Sequence, residues 1–399
     1  MVRSTRVKLR TATLCLPILV ISVQQNAVNM TLPPFLDAQR YPVATIGTLL
    51  SLGPIFTLAA RVPGGMLYRR GRTTARMAIA LLVVAATSAL YSLADSAALF
   101  IVVGALNGFA TSIATTLYLP FFIDELPAGQ ARPQAMGLYT GSIALGFAIG
   151  GLGAGYAVDH WGYPAAFVAE GIVALAAIAL HAAMAPAAAG APAAALPAPG
   201  PVSARASLRN LLLPEVTSIL LAALFLNVLY KIPSTFIPLY GQHAGLSLTD
   251  VGLIMAGYAL SNAVVRPITG SFVARFDHAT VAISGLVVQG AILMLVPAFT
   301  GIPALLAVAV AAGTCRAVVL VANTVGMAEE MREPRFSKGM ASSIFNAAGD
   351  LGYVLGPIIG GGIASITGIS RLFLVAPGVI CLLFFLAHAG VRIQRKQWA

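Results

Sequence analysis

The chain has 399 residues, of which 58% are hydrophobic and only 9% are charged. A soluble protein has about 45–50% apolar and about 25% charged residues, so this composition excludes an ordinary soluble, disordered or collagen-like chain. The formal net charge of +11 would suit a polyanionic partner, but the distribution of the basic residues along the chain favours a membrane explanation.

Apolar segments of about 20 residues, separated by short polar breaks, recur along the chain, as membrane-spanning helices require. Segments such as 78–90 are continuous apolar runs, without the alternation of a spanning β-strand. The sequence therefore predicts an all-α membrane protein with twelve transmembrane helices. They lie near 11–33, 42–67, 73–94, 97–121, 135–158, 163–185, 211–239, 249–273, 279–299, 302–327, 339–366 and 371–391.

The basic residues predict the orientation of these helices. With a cytoplasmic N-terminus, eighteen of the 24 Lys and Arg fall in cytoplasmic segments, two outside and four within spans. This asymmetry follows the positive-inside rule. It predicts a multi-pass protein of the cytoplasmic (inner) membrane with both termini cytoplasmic, and it removes the need for nucleic acid as a partner. The N-terminal segment lacks a small-residue cleavage site, so we expect an uncleaved first helix.

We expect neither a metal site nor a cofactor. The three cysteines lie in predicted spans without a CxxC spacing, and the five histidines form no HxxxH or HExxH pair. The nucleophile–base arrangement of an enzyme and the Gly-rich phosphate loop of an ATP-driven pump are also missing from the sequence.

An Ala/Pro/Gly-rich segment divides the chain into two halves. Residues 186–208 predict a cytoplasmic linker between one six-helix bundle at 1–185 and a second at 209–399.

Glycine motifs recur in the two halves at an offset of 206 residues. An even number of helices per repeat orients both halves alike, which predicts a pseudo-two-fold axis along the membrane normal. The pairs are Gly64 and Gly270, Gly146 and Gly352, and Gly150 and Gly356.

These features resemble the major facilitator superfamily over essentially the whole chain. Segment 64–72, GGMLYRRGR, is similar to the family's signature loop between the second and third helices. In the family an Asp of this loop is thought to clamp the outward-open state, but Tyr68 stands in its place here. The resemblance therefore implies a gating loop that acts without an acid. Its candidate residues are Gly64, Tyr68, Arg69, Gly71 and Arg72.

Segment 352–361, GYVLGPIIGG, is similar to the G-x-x-x-G-P-x-x-G-G motif that marks antiporters of the family in helix five. Here it lies in the eleventh predicted span, and Gly151 takes the Pro position in the fifth. The Arg of another exporter motif, R-x-x-x-G in helix four, is replaced by Gly104. Glycines at this spacing also let helices approach closely. We expect hinge and packing roles for Gly146, Gly150, Gly352, Gly356 and Pro357.

Ionisable side chains inside a bilayer are costly, so they face a cavity or a partner. Asp350 and Arg316 are predicted close to the midplane. We interpret them as proton-coupling residues, with an ion pair that only locks two helices as the alternative. Lys231 is expected either to line a cavity or to extend to the surface. Extension to the membrane surface is the prediction for Arg61, Arg266 and Glu170.

Polar residues form stripes at helical spacing on several spans. The family resemblance places helices one, four, seven and ten, with parts of five, eight and eleven, around a central cavity. The stripes on spans one, four and seven agree with this expectation. The predicted cavity residues are Gln25, Asn29, Asn107, Thr111, Tyr118, Asn227, Tyr230, Lys231, Asn346 and Tyr353.

The leading interpretation is a secondary transporter that works by alternating access as a proton-coupled exporter. A mixed cavity suits a small amphipathic organic solute, either drug-like or a secreted metabolite such as a siderophore. One alternative is an importer or facilitator of a polar nutrient. Another, from a different class, is a non-transporting membrane receptor. The expected partners are the solute, protons and the lipid bilayer, and we expect a monomer.

Overall fold

The computed structural model describes residues 9–68, 72–126, 132–184, 213–273, 275–330 and 338–398. These residues form helices joined by short turns. The predicted linker at 186–208 lies outside the described residues. The main helices are α1 Leu16–Ala38, α2 Val43–Met66, α3 Thr73–Leu90, α4 Ala97–Asp124, α5 Arg132–Met184, α6 Pro214–His243, α7 Leu248–Val273, α8 His278–Leu293, α9 Ile302–Glu330, α10 Lys338–Thr367 and α11 Ile369–Trp398.

Eleven helices within the described residues are long and apolar enough to cross a membrane. The exception in length is α5, which has 53 residues and would measure about 80 Å if it were straight. Gly162 has φ 79° and ψ 170° and separates α5 into two helical arms, 132–161 and 163–184. These arms coincide with the fifth and sixth predicted spans.

The described residues with positive φ form two pairs that divide the chain in matching places. Arg40 (φ 62°) follows α1 and Gly245 (φ 80°) follows α6, 205 residues later. Gly162 (φ 79°) interrupts α5 and Gly368 (φ 84°) precedes α11, 206 residues later. A residue with positive φ interrupts a regular helix. The described residues before and after the predicted linker, which we call the first and second halves of the chain, are therefore interrupted at corresponding points.

Glycine contacts within the two halves are also equivalent. A Cβ atom on Gly108 of α4 would lie 2.3 Å from the carbonyl oxygen of Gly53 in α2. A Cβ on Gly313 of α9 would lie 2.4 Å from the carbonyl oxygen of Tyr258 in α7. Gly108 and Gly313 are 205 residues apart, and so are Gly53 and Tyr258. Corresponding positions of α2 and α7 therefore differ by 205, rather than by the 206 inferred from Gly64 and Gly270.

The predicted packing glycines lie in tight helix contacts. Gly146 and Gly150 of α5 would place a Cβ 2.4 Å and 2.2 Å from carbonyl oxygens of α1. Gly352 of α10 would place one 2.5 Å from a carbonyl oxygen of α6, and Gly356 one 2.8 Å from Lys231 Cβ. Substitution at these positions would therefore separate α1 from α5 or α6 from α10.

Two close contacts join the halves to each other. A Cβ on Gly47 of α2 would lie 2.2 Å from the carbonyl oxygen of Pro357 in α10. A Cβ on Gly252 of α7 would lie 2.6 Å from the carbonyl oxygen of Gly151 in α5. The halves thus meet along α2–α10 and along α5–α7, and a cavity lies between these seams.

Candidate functional site

A cavity of about 280 Å³ lies between the two halves. Its wall comes from α1, α2, α4 and α5 of the first half and from α6 and α10 of the second. Seven of the predicted cavity residues line it: Gln25, Asn29, Asn107, Thr111, Tyr230, Lys231 and Tyr353.

Three predicted cavity residues lie elsewhere. Helical spacing predicts which residues share a face of a helix, but it does not predict what packs against that face. Tyr118 is fully buried in the core of the first half, where its hydroxyl donates to the Leu14 carbonyl over 2.6 Å. Asn227 is buried behind the wall and accepts a hydrogen bond from Arg316. Asn346 is exposed, one turn of α10 before Asp350, and is not part of the cavity wall.

Asp350 pairs with Arg61 rather than with the expected Arg316. Arg61 donates Nη2–H to Asp350 Oδ1 over 2.7 Å and also donates Nε–H to Oδ2. This two-point geometry is the strong form of an Arg–carboxylate pair. The close contact of α2 with α10 brings Arg61 within reach, so the prediction that Arg61 extends to the surface was wrong.

Arg316 is bound within the second half. Its guanidinium donates to the Leu226 carbonyl over 3.1 Å and to Asn227 Oδ1 over 2.7 Å. The guanidinium carbon lies 4.0 Å from the centre of the Tyr230 ring, a cation–π contact. Arg316 is therefore held by neutral groups of α6.

Lys231 lines the cavity and does not extend to the membrane surface, which was the alternative. Its side chain is buried and its Nζ donates to Asn29 Oδ1 over 3.2 Å, which joins α6 to α1 across the two halves.

A second cavity, of about 90 Å³, adjoins the first and shares Asn26, Phe147, Tyr230 and Tyr353 with it. Arg266 lines it and donates Nη2–H to Asn262 Oδ1 over 2.6 Å. Extension of Arg266 to the membrane surface was therefore a wrong prediction. Arg266 follows Arg61 by 205 residues, which relates the two arginines to each other but does not indicate the cavity that Arg266 lines.

Glu170 is a buried acid whose position the sequence did not indicate. It is 4% exposed, and its Oε1 accepts a hydrogen bond from the Thr31 hydroxyl over 2.7 Å. The expectation that it extends outward was wrong, because α1 covers it.

Part of the predicted gating loop is described. Gly64 is buried against α4, where a Cβ would lie 3.6 Å from Ile113 Cα. The Tyr68 hydroxyl donates to Asp124 Oδ2 over 2.5 Å. Arg72 is exposed. Arg69 and Gly71 lie outside the described residues.

Polar contacts join the halves at the opposite end of the bundle, which we call the Asp159 end. Asp159 Oδ1 accepts from the Leu248 N–H over 3.1 Å, and its Oδ2 accepts from Thr249. His243 Nε2 lies 3.4 Å from Asp37 Oδ2. Gln242 donates to the Tyr163 hydroxyl over 3.2 Å. We call the other end of the bundle, where Arg72 lies, the Arg72 end.

A sequence profile described as Major Facilitator Superfamily matches residues 14–256 and again 231–397. Over 142 residues the chain is 28% identical to the staphylopine export protein of Staphylococcus aureus (strain Mu50 / ATCC 700699). That match covers 36% of this chain and 35% of the relative, so the chain spans about a third of the relative's length.

Solved transporter structures share the fold. The crystal structure of the nucleoside transporter NupG superposes with a TM-score of 0.75 at 15% identity, over 95% of this chain and 98% of that one. A bacterial homolog of the human lysosomal transporter Spinster, inward-facing and occupied, gives a TM-score of 0.77 at 13% identity, over 99% and 97%. At these identities the likeness concerns the fold alone.

Proposed function

The chain belongs to the Major Facilitator Superfamily, and on that premise we propose that it is a proton-coupled exporter of a small organic solute. The observation that carries the proposal is the 280 Å³ cavity between the halves, with its polar wall and its Arg61–Asp350 pair. A cavity shared by two rigid halves can open to either side of a membrane if the halves rock about it.

The proposed topology has twelve crossings in two six-helix halves. Each arm of α5 is long enough for one crossing, since about 20 residues span the hydrocarbon core. The matching breaks at Arg40 and Gly245, and at Gly162 and Gly368, support equivalent halves related by an axis along the membrane normal. We expect a monomer to suffice, because one chain forms the whole cavity.

The Arg72 end is proposed to face the cytoplasm. Arg72 and Arg275 are exposed and Arg76 is half-buried, in or beside its short turns, and basic loops stay cytoplasmic. The Asp159 end would then face outward, and both chain termini and the linker would lie inside. The close polar contacts between the halves at the Asp159 end support an outward-closed state for this conformation.

Asp350 is the proposed proton carrier. When a proton binds its carboxylate, the negative charge is lost and the ion pair with Arg61 is weakened. Because the pair joins α2 to α10, its loss favours separation of the halves along this seam. Deprotonation in the other state restores the pair. Arg316, the second residue proposed for coupling, would act through Tyr230, which its guanidinium contacts and which lines both cavities.

The direction of transport is proposed from the partial relative, which is named an export protein. The test is uptake of labelled citrate, histidine, uridine and ethidium into proteoliposomes with an imposed pH gradient. An exporter that exchanges solute for protons concentrates its solute when the lumen is acidic. Accumulation driven by an alkaline lumen would instead indicate proton–solute import. Facilitated equilibration of a solute, without a response to either gradient, would contradict coupling.

A further inference from the structure

We propose that the 90 Å³ cavity is an oxyanion subsite, which binds a carboxylate or phosphate group of the transported solute between Arg266 and Arg316. This inference rests on the proposed transport function and specifies the class of solute. It begins with a difference between the two halves.

Arg61 and Arg266 occupy equivalent positions, since equivalent residues of α2 and α7 are 205 apart. Residues of α5 and α10 correspond at an offset of 206, as Gly151 and Pro357 do at the two seams. The counterpart of Asp350 on α5 is therefore Ala144. Arg61 has a carboxylate partner from the opposite half, whereas Arg266 faces a cavity that Ala144 lines.

The Arg266 guanidinium is held in place but incompletely paired. Asn262 accepts from Nη2 over 2.6 Å, and its own amide donates to the Gly313 carbonyl over 3.3 Å. Thr57, the equivalent residue of the first half, makes the matching bond to Gly108. The Nε–H of Arg266 is buried and has no hydrogen-bond partner among the described residues. A buried donor left unpaired is costly, so an acceptor that entered the cavity and reached it would be stabilising.

Arg316 and neutral side chains complete the wall of this cavity. Arg316 is 6% exposed, and its guanidinium faces the Tyr230 ring. Tyr258 is 7% exposed, and its hydroxyl has no partner among the described residues. Tyr353 also lines the cavity. Phenol hydroxyls can donate to an oxyanion without adding negative charge.

The size of the subsite suits one functional group. A cavity of about 90 Å³ is larger than one water molecule needs, and it has room for a carboxylate or a phosphate. The rest of the solute would extend into the adjoining 280 Å³ cavity toward Lys231.

The charge of the combined wall points to the same class of solute. Among the described residues that line the two cavities, four are cationic, Arg61, Lys231, Arg266 and Arg316, and one is acidic, Asp350. Unpaired cations are costly within a bilayer. A solute with two or more oxyanion groups would neutralise this excess, whereas an organic cation would increase it.

The test measures equilibrium binding of labelled citrate and of inorganic phosphate to the purified full-length protein in detergent micelles. Arg266→Gln should weaken binding of the recognised anion by about tenfold or more, or ~1.4 kcal/mol. Arg371→Gln is the control, because it removes the same charge from an exposed site on α11. Citrate binding alone assigns the subsite to carboxylates, and phosphate binding alone assigns it to phosphates. An equal effect of the two substitutions would overturn the proposal.

A second pair of variants uses the difference between the halves. Ala144→Asp places a carboxylate where Asp350 stands in the other half, so it should occupy Arg266 and abolish binding of the external anion. Ala144→Asn has similar size without the charge and should retain binding. Retained anion binding in correctly folded Ala144→Asp would contradict the proposal.

Measurements of binding and of transport distinguish the hypothesis of an oxyanion subsite from the hypothesis of solute transport. Uphill transport of uridine or ethidium together with no binding of citrate or phosphate would refute the oxyanion subsite and leave the transport function standing. Anion binding without transport of any solute in the panel would refute the transport function and leave the subsite standing.

Discussion

Asp159 in α5 binds Thr249 at the start of α7. Oδ2 of Asp159 accepts from the backbone N–H of Thr249 over 2.7 Å and from the Thr249 hydroxyl over 2.6 Å. The side chains of Ser247, just before α7, and Asp250, in its first turn, already accept from each other's backbone N–H groups. Asp159 therefore satisfies the first-turn donors that α7 leaves open, and it places negative charge at the positive end of the helix dipole.

Asp159→Ala is predicted to loosen the Asp159 end of the bundle. Loss of a capping side chain costs about 1 kcal/mol, which corresponds to roughly a fivefold shift in a conformational equilibrium. A cysteine introduced at Asn29 in the cavity should then react about fivefold faster with a membrane-impermeant maleimide added at this end. The background is a variant without the three native cysteines.

Asp250→Ala is the matched control, since it removes a capping residue of α7 without breaking a contact between the halves. It should lower thermal stability but leave the labelling rate near that of the parent. Equal acceleration by both variants would assign the effect to fraying of α7.

Asp350→Asn is predicted to abolish proton-driven accumulation of solute, because the amide cannot release or bind a proton and pairs weakly with Arg61. Solute exchange at equal pH should continue. Asp95→Asn, which changes an exposed acid, should leave both activities intact. Uphill transport by Asp350→Asn would reduce the Arg61–Asp350 pair to a structural contact.

The sequence revealed the family resemblance and the glycine contacts because these depend on residues repeated along the chain. It predicts a depth near the bilayer midplane for Asp350, but it does not indicate the partner of this side chain. Arg61 is 289 positions away on a helix of the other half, and depth in a bilayer does not determine the direction in which a side chain points. The partner depends on how α2 packs against α10.

Helical periodicity failed for Tyr118 for a related reason. Thr111 and Tyr118 are seven residues apart on one face of α4, yet only Thr111 reaches the cavity. Further along α4, the same face meets the residues just before α1, where the Leu14 carbonyl accepts the tyrosine hydrogen bond. Sequence patterns identify a face, and the neighbouring helices decide its environment at each level.

Gly47→Ala is predicted to weaken the α2–α10 seam. The new Cβ would lie 2.2 Å from the backbone oxygen of Pro357, so the helices must move apart. Gly362→Ala is the control in α10, because nothing lies within 4 Å of its Cβ position. In detergent, the melting temperature should fall for Gly47→Ala, whereas the gain in helix propensity should hold or raise it for Gly362→Ala. Equal melting temperatures would show that the seam tolerates a methyl group.

Glu170→Gln is predicted to preserve both stability and coupling. Only one carboxyl oxygen of Glu170 has a described hydrogen-bond partner, the Thr31 hydroxyl; the other, Oε2, is buried without one. A buried carboxylate without a cation is costly, so the neutral acid is the favoured form, and Gln reproduces its shape and its acceptor.

Uphill transport and melting temperature of Glu170→Gln should therefore stay close to those of the parent, within about 1 kcal/mol in stability. Glu170→Ala should melt at a lower temperature, because it leaves a cavity in the packed interior. Loss of uphill transport in Glu170→Gln, with equal-pH exchange retained, would instead identify Glu170 as a proton carrier beside or in place of Asp350.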